Sequence, residues 1–270
     1  MMKNAGPRII AVSSGKGGVG KTNFVANLAL FYASLNKRVL ILDADLGLSN
    51  IDVLFGIAPK FNLKHVLLGE KTIKDIIVKG PLGIMIMPAS SGVRELTELS
   101  DENRLKLVSE LDNFDLAFDI FLIDTGAGIS DNVLFFCSAA QETIVIVTPE
   151  PTSLADAYAL IKVLSRDFGE RNFSILVNTA RSEKEAFDTF RKLAIVADKF
   201  LRLSVEYIGF LPYEQHVKDA IIAQKGYIAM YPNSIFSKKL AGIGKRLLEN
   251  PVADVKGNIQ FFLKKALRAE

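Results

Sequence analysis

Residues 8–23 read RIIAVSSGKGGVGKTN, and they are the strongest indication of the fold in the sequence. The apolar run from Arg8 to Ser14 predicts a β-strand, and the residues after Thr22 carry the apolar stripe of a helix. The glycines between them let the backbone curl so that successive N–H groups point at phosphate oxygens, and the helix start adds a favourable dipole. A strand, a glycine-rich turn with Lys and Thr, and a helix in this order predict a phosphate-binding loop.

The residue types in this loop suit the binding of phosphate and of a metal ion. Lys21 is placed to reach the β- and γ-phosphates of a nucleotide, and the Thr22 hydroxyl to ligate Mg²⁺. The alternative, a glycine-rich turn that carries Lys and Thr by chance, leaves the complete match unexplained. The loop residues expected to contact the nucleotide are Gly15, Lys16, Gly17, Gly18, Val19, Gly20, Lys21, Thr22 and Asn23.

Three aspartates stand at the ends of two other predicted strands. Asp43 and Asp45 close the run LILDAD, and because alternate strand residues face the same way, both carboxylates can face the phosphates. Asp124 closes DIFLID, where an acid binds Mg²⁺ directly or through water. The small residues after it let the backbone move when the γ-phosphate leaves, so residues 124–130 are interpreted as a second switch. Helix capping by the first two acids is the alternative for that pair.

Beyond these motifs, short apolar runs alternate with helical stretches, and the runs end in polar residues. This alternation predicts a single α/β P-loop domain with a mostly parallel twisted sheet, helices on both faces and a ligand at the carboxyl edge. Residues 47–80, broken by glycine and proline, are predicted as a short helix followed by irregular structure. The predicted strands are 8–14, 38–45, 83–89, 119–125, 143–150, 173–179 and 205–212, and the predicted helices are 22–36, 101–114, 131–140, 153–168, 183–201 and 233–250.

Composition limits which other folds and functions are possible. A chain of 270 residues at 49% hydrophobic fits one globular domain, expected over residues 1–250, with a separable segment at 251–270. The net charge of +3 is too small for wrapping of nucleic acid over a broad surface, so direct DNA binding is not expected. A lone cysteine, Cys137, excludes an internal disulfide framework, fits a reducing cytoplasm and is expected in the core. The first residues contain no apolar run typical of a signal peptide or a membrane span.

Lys16 narrows the range of P-loop families that the motif can belong to, because an ordinary P-loop does not need a second lysine at this position. With it, GKGGVGKT resembles the deviant Walker A ATPases of the MinD/ParA type, in which such a lysine reaches the phosphates bound by the facing subunit. The resemblance implies an ATP-hydrolysing homodimer with the nucleotides sandwiched between subunits. It also implies that Asp45 orients and deprotonates the attacking water, while Asp43 helps to hold the metal shell and Lys21. The expected catalytic residues are Lys16, Lys21 and Asp45, and the expected metal ligands are Thr22, Asp43 and Asp124.

Base recognition is expected at the ends of two later strands. Asn178 closes FSILVNT, and Pro212 and Tyr213 follow VEYIGFL, where MinD-like proteins contact adenine. The Asn-Lys-x-Asp pattern of guanine readers is not found, which favours ATP over GTP. The resemblance also places Glu150 near the nucleotide of the facing subunit. A plain turn remains the alternative for each base contact.

Within the MinD/ParA type, the chain most resembles the flagellar-number regulators called FlhG or FleN. Asn23 after Lys21-Thr22, the run DADLGLSNIDVLFG and the run TPEPTSLADAYALIK carry this resemblance. It implies an ATPase, slow without its partner, that regulates flagellar number and placement. The implied partners are the SRP-type GTPase FlhF, flagellar C-ring proteins or a FleQ-like transcription activator. The alternatives are a MinD-type division-site regulator and a ParA-type cargo or DNA segregation ATPase. An iron–sulfur reductase of this fold needs two cysteines per subunit.

The last segment, GNIQFFLKKALRAE, predicts a short basic amphipathic helix. It resembles the membrane-targeting tail of MinD and FlhG, which implies a cytoplasmic protein that becomes peripheral to the inner, cytoplasmic membrane when ATP-bound. A terminal helix packed into a groove of its own domain has the same stripe, and this alternative stays open. The residues expected to contact lipid are Ile259, Phe262, Leu263, Lys264, Lys265 and Leu267.

Overall fold

The computed structural model describes residues 7–47, 50–89, 99–115 and 117–250. In these ranges, strands form one sheet that is parallel except at one edge. The strands are β1 (Arg8–Ser14), β2 (Val39–Ala44), β3 (Val78–Lys79), β4 (Met85–Met87), β5 (Ile120–Ala127), β6 (Glu142–Val147), β7 (Phe173–Ala180) and β8 (Glu206–Pro212). Their spatial order is β3-β4-β2-β5-β1-β6-β7-β8, and β3 alone pairs antiparallel among them. The three strands that carry the motifs, β2, β5 and β1, are therefore neighbours.

Helices cover both faces of this sheet. They are α1 (Lys21–Ser34), α2 (Ile51–Leu54), α3 (Leu63–Leu67), α4 (Ile73–Ile76), α5 (Asp101–Asn113), α6 (Asp131–Ala139), α7 (Pro151–Asp167), α8 (Glu183–Leu201), α9 (Val217–Ile222), α10 (Tyr227–Met230) and α11 (Ile235–Glu249). The predicted single α/β domain with a mostly parallel sheet is confirmed.

The core consists of two apolar layers, one on each face of the sheet. Along β1, Ile9 and Ala11 belong to the layer that includes α6 and α7 residues, whereas Ile10 and Val12 belong to the layer that includes α1 and α11 residues. All seven residues of β1 are buried, which explains why its sequence has no polar alternation. Polar groups can only appear where such strands end, and this concentrates them at the carboxyl edge.

The segment after β2 is more regular than predicted. Where irregular structure was expected after one short helix, two further helices follow, and each starts with a reciprocal capping box. Asn62 and His65 form the first box, and Thr72 and Asp75 form the second. Helices α9 and α10 and strand β3 were also not predicted. Elements of one or two turns are too short to show a periodic pattern, so local capping and tertiary contacts decide them.

Two predictions concern other parts of the chain. Cys137 is buried in the core, as expected. No helix among the described residues is both long enough and apolar enough to span a bilayer. The tail residues expected to contact lipid, from Ile259 to Leu267, lie outside the described residues, and the boundary at residue 250 stays a prediction.

Candidate nucleotide-binding site

The phosphate loop joins β1 to α1, as the sequence predicts. Gly18 and Gly20 adopt φ angles of 76° and 92°, a left-handed conformation that residues with a side chain avoid. The Ser14 hydroxyl donates to the Lys16 carbonyl at 2.7 Å, and the Gly128 N–H donates to the Ser14 carbonyl at 2.9 Å. These bonds link the loop to the end of β5. The loop and the proposed second switch are thus in direct contact.

Gly15 must be glycine for a different reason. A Cβ atom at this position would lie 2.1 Å from the backbone carbonyl carbon of Asp156 in α7. The loop therefore rests directly on the backbone of α7, and no side chain fits between them. The sequence predicted Gly15 as a nucleotide contact, whereas the structure also gives it a packing role.

Lys21 begins α1 at the carboxyl edge of the sheet. Its side chain is buried, and burial lowers the pKa of its amine, while the charges of Asp124 and Asp45 act in the opposite direction. A buried amine between two carboxylates is placed to neutralise a phosphate. The charges of Asp124 and Asp45 thus act on Lys21 in the fold, and the expected role of Asp43 in holding this lysine stays a prediction.

Asp43 and Asp124 lie side by side. They are register partners on the adjacent strands β2 and β5, and both are buried. Burial is the largest cause that raises the pKa of Asp124 to about 8, and the nearby Asp43 carboxylate is the second. A hydrogen bond from Thr22 and the charge of Lys21 act to lower it. Two such carboxylates repel each other strongly unless a proton or a cation lies between them.

The side chains present fit a magnesium ion. The Oδ1 atom of Asp124 is buried without a hydrogen-bond partner among the described residues, and the Thr22 hydroxyl is bonded to the same carboxyl group. Mg²⁺ prefers such oxygen ligands, and it uses only one or two carboxylates because water and phosphate oxygens complete its shell.

Asp43 also holds the backbone that follows β2. Its Oδ2 atom accepts hydrogen bonds from the N–H groups of Asn50 and Ile51 at 2.8 and 3.0 Å, and its Oδ1 atom from the Asp45 N–H at 3.3 Å. The structure thus gives Asp43 the capping role considered as the alternative, at the start of α2. Its role in the metal shell stays a prediction.

Asp45 follows β2 and is partly buried. Its Oδ1 atom lies 3.8 Å from where a Cβ on Gly126 would stand, so its carboxylate faces the small residues after Asp124. Its charge also acts on Lys21. The position suits a base for the attacking water, and the catalytic role itself stays a prediction.

Lys16 points away from its own helix. Its Nζ atom forms an ion pair with Oε2 of Glu150 at 2.5 Å and a hydrogen bond with the Thr152 hydroxyl at 3.3 Å. The two charged side chains are 40% and 60% exposed, so both can be reached by a second molecule. The structure brings together two residues that the sequence analysis assigned separately to the facing subunit's nucleotide, and both assignments stay predictions.

A cavity of about 270 Å³ adjoins the phosphate loop where the base is expected. Asn178, Pro212 and Tyr213 all line it, as the sequence predicts. The Asn178 amide nitrogen donates to the Val19 carbonyl at 2.7 Å, which leaves its Oδ1 atom to accept from a base. The lining residues that the sequence analysis missed are Phe24, Thr179, Leu211, Gln215, Val217, Lys218, Ile221 and Phe236. Three of them belong to α9, a helix too short to be predicted.

Comparisons with known proteins agree with this geometry. The sequence matches the AAA domain family over residues 7–174. It is 40% identical over 262 residues to the antiactivator FleN of Pseudomonas aeruginosa, covering 97% of this chain and 94% of that protein. It is 32% identical over 266 residues to the flagellum site-determining protein YlxH of Helicobacter pylori, covering 97% and 90%. The MinC:MinD cell division protein complex of Aquifex aeolicus contains a chain that superposes with a TM-score of 0.75 at 27% identity, covering 92% and 98%.

Proposed function

The chain belongs to the MinD/ParA type of P-loop ATPases in the AAA domain family, and from this membership we propose that it is an ATP-driven dimerising switch that regulates flagellar number and placement. The flagellar role is supported by the two relatives that are named as an antiactivator and as a flagellum site-determining protein. These relatives match nearly the whole chain, which favours the flagellar role over division-site or segregation roles in the same fold.

The position of Lys21 is the observation that carries the proposal. The charges of Asp45 and Asp124 both act on its buried amine. Lys21 begins α1, Asp124 lies in β5 and Asp45 follows β2, so three separate parts of the chain meet here. When bound, Mg²⁺ would supply positive charge that offsets the negative charge of the nucleotide phosphates. Thr22 and Asp124 would hold it there. Lys21 would neutralise the charge that develops on the phosphates, and Asp45 would orient and deprotonate the attacking water.

The base cavity favours ATP as the nucleotide. The Asn178 amide donates through its nitrogen to the Val19 carbonyl, which sets the orientation of the amide and leaves its Oδ1 atom as an acceptor for the base. The exocyclic amino group of adenine donates to such an acceptor, whereas O6 of guanine is itself an acceptor. Guanine would therefore leave two oxygens facing each other at this position.

Dimerisation with ATP is proposed from the exposed charge at the loop. A second copy that placed its nucleotide against this edge would bring phosphates to Lys16, and they would replace Glu150 as the partner of its amine. Hydrolysis would be slow in the single chain because the catalytic groups are complete only in the dimer, or with a partner protein. FlhF, C-ring proteins and a FleQ-like activator are the proposed classes of partner.

Reversible membrane association is proposed from the tail sequence. A single short amphipathic helix binds lipid weakly, and a dimer that presents two copies binds much more strongly. ATP would thus move the protein from the cytoplasm to the cytoplasmic membrane. The tail residues proposed to contact lipid are Ile259, Phe262, Leu263, Lys264, Lys265 and Leu267.

Substitution of Asp45 tests the switch. Asp45→Ala should bind ATP, hydrolyse it about a hundredfold more slowly and accumulate as a dimer, because a general base contributes roughly 10²- to 10⁴-fold. Dimerisation is measured by light scattering with ADP and with ATP. Lys16→Ala should stay monomeric with ATP, while Lys37→Ala, which alters an exposed lysine far from the loop, should dimerise normally. Normal hydrolysis by Asp45→Ala would refute the assignment of the base.

Vesicle binding tests the membrane step separately. In the Asp45→Ala background, co-sedimentation with vesicles that contain anionic lipid should require ATP. Phe262→Glu should abolish it, because Phe262 lies on the apolar stripe of the predicted helix. Phe261→Glu is the matched control, since Phe261 falls on the opposite side of that helix. Equal loss in both variants would contradict a specific lipid-facing stripe.

A further inference from the structure

Asn23 faces the nucleotide cavity from the first turn of α1. It is the third residue of this helix and lines the same cavity as loop residues 18–20, Pro212 and Tyr213. A nucleotide with its base near Tyr213 and its outer phosphates at Lys21 has its first phosphate between them. Asn23 therefore lies closest to the phosphate that is attached to the ribose.

An asparagine side chain is useful there in only one orientation. Its amide has an NH2 end that donates hydrogen bonds and a carbonyl end that accepts them. Phosphate oxygens only accept, so Asn23 attracts a phosphate with Nδ2 facing it and repels it with Oδ1 facing it. A hydroxyl group rotates freely to donate, and an amide does not. Asn23 thus depends on a neighbour that determines its orientation.

Asn27, one turn further along α1, is that neighbour. Its Oδ1 atom accepts a 3.0 Å hydrogen bond from the backbone N–H of Ile228, a group that can only donate. This identifies the other end of the Asn27 amide as Nδ2, which donates to Oδ1 of Asn23 at 2.5 Å and to its backbone carbonyl at 2.8 Å. With its Oδ1 atom held by Asn27, Asn23 has its Nδ2 atom on the side of the amide away from Asn27, and its side chain is free to donate from there into the cavity that Asn23 lines.

Close packing between α1 and α10 keeps this arrangement rigid. Asn27 is 1% exposed, so water does not compete for its amide. A Cβ atom on Gly226, just before α10, would lie 1.9 Å from Cδ1 of Leu30 and 3.4 Å from Oδ1 of Asn27. A side chain at residue 226 would have to displace the buried Leu30 side chain, so glycine suits the close approach that brings the Ile228 N–H within reach of Asn27.

We propose that Asn27 is a positioning residue for the nucleotide, which holds the Asn23 amide with its NH2 group toward the phosphate nearest the ribose. The inference rests on the nucleotide binding proposed above. Because ATP and ADP share this phosphate, Asn27 contributes to the affinity for both nucleotides alike. This distinguishes it from Asp45, which acts only on the hydrolysis of ATP.

The test compares Asn27→Leu in two backgrounds. Dissociation constants for Mg-ADP and Mg-ATP are measured by calorimetry on the full chain. Beside the native Asn23, Asn27→Leu should raise both constants about tenfold, which is typical for the loss of one hydrogen bond to a charged group. Beside Asn23→Thr, the same change should have an effect of less than about twofold, because a hydroxyl needs no orienting partner. An equal loss in both backgrounds would indicate general damage to the fold and would overturn the proposal.

Two further variants keep the test decisive if Asn27→Leu unfolds. Asn23→Asp preserves the bond from Asn27 and replaces the cavity-facing NH2 group by an oxygen, so nucleotide affinity should fall more than about a hundredfold. Unchanged affinity would refute the proposed orientation. Gln224→Ala removes the 2.9 Å bond from Nε2 of Gln224 to the Val53 carbonyl, a second attachment of the same segment that does not involve Asn23. Its affinity should stay within about twofold of the wild type.

Different results would disprove the proposed function and the positioning role of Asn27. A wild-type chain that binds neither ADP nor ATP would overturn the proposed function. A wild-type chain that binds both, with Asn27→Leu and Asn23→Asp binding equally well, would overturn only the positioning role.

Discussion

Replacing Asp124 by Asn should stabilise the protein at neutral pH when nucleotide and metal are absent. Burial, with the Asp43 carboxylate as second cause, raises the pKa of Asp124 from 3.8 to about 8. Between these pH values the folded chain keeps a proton that the unfolded chain releases, so the free energy of unfolding falls as the pH rises. The loss amounts to about 1.4 kcal/mol per pH unit, with a ceiling of roughly 6 kcal/mol above pH 8.

Asparagine keeps the shape of the side chain and does not titrate, so the difference between the two proteins isolates this effect. Between pH 5.5 and pH 7.5 the variant should gain roughly 3 kcal/mol in free energy of unfolding relative to the wild type. Urea denaturation at each pH, with a chelator present and nucleotide removed, measures this difference. With Mg²⁺ and ADP the wild type should recover its stability, because ion binding replaces the proton, and the variant should not.

Asp119 provides a matched control on the same segment. Its pKa is lowered by its hydrogen bond with Arg38, so its stabilising contribution is lost only as the pH falls through the acidic range. The difference between Asp119→Asn and the wild type should therefore be constant between pH 5.5 and pH 7.5. A constant difference for Asp124→Asn as well would show that Asp124 is ionised and paired with Lys21 in the folded protein. That result would refute the raised pKa of Asp124.

Three further substitutions test the site and the packing around it. Gly15→Ala should lower the free energy of unfolding by about 3 kcal/mol in urea denaturation, because its Cβ would lie 2.1 Å from the α7 backbone. Gly17→Ala is the control and should change it by less than about 0.5 kcal/mol, because nothing lies within 4 Å of a Cβ there. Lys21→Met should abolish measurable Mg-ATP binding in calorimetry. The melting temperature should stay unchanged or rise, because the substitution removes a buried amine. A clear fall in the melting temperature would contradict this. Arg8→Leu should cost about 3 kcal/mol in the same denaturation assay, because it leaves Glu142, whose side chain is 16% exposed, without its ion-pair partner.

The fold was predictable where local pattern and burial agree. The seven predicted strands all occur, because strands covered on both faces need unbroken apolar runs whatever their neighbours are. The predicted helices also occur. Some, such as α8 and α11, carry an amphipathic stripe over several turns, whereas α1 and α6 are apolar and buried on nearly every side. The sequence did not predict the short helices α3, α4, α9 and α10. A helix of one or two turns is too short to show a periodic apolar pattern, so capping or packing determines where it forms.

The sequence alone was enough to predict the residues of the site and their place at the carboxyl edge of the sheet. A P-loop motif needs its glycines, Lys21 and Thr22 consecutively, and acids at strand ends can only gather at that edge, so both are readable along the chain. The side chains that meet across long separations became apparent in the folded chain and not in its sequence. Lys16 meets Glu150 134 residues away, Asn178 holds Val19 across 159, and the Ile228 N–H orients Asn27 across 201. Hydrogen bonds of this kind depend on distances of a few tenths of an ångström, which only the packing of whole helices and strands determines.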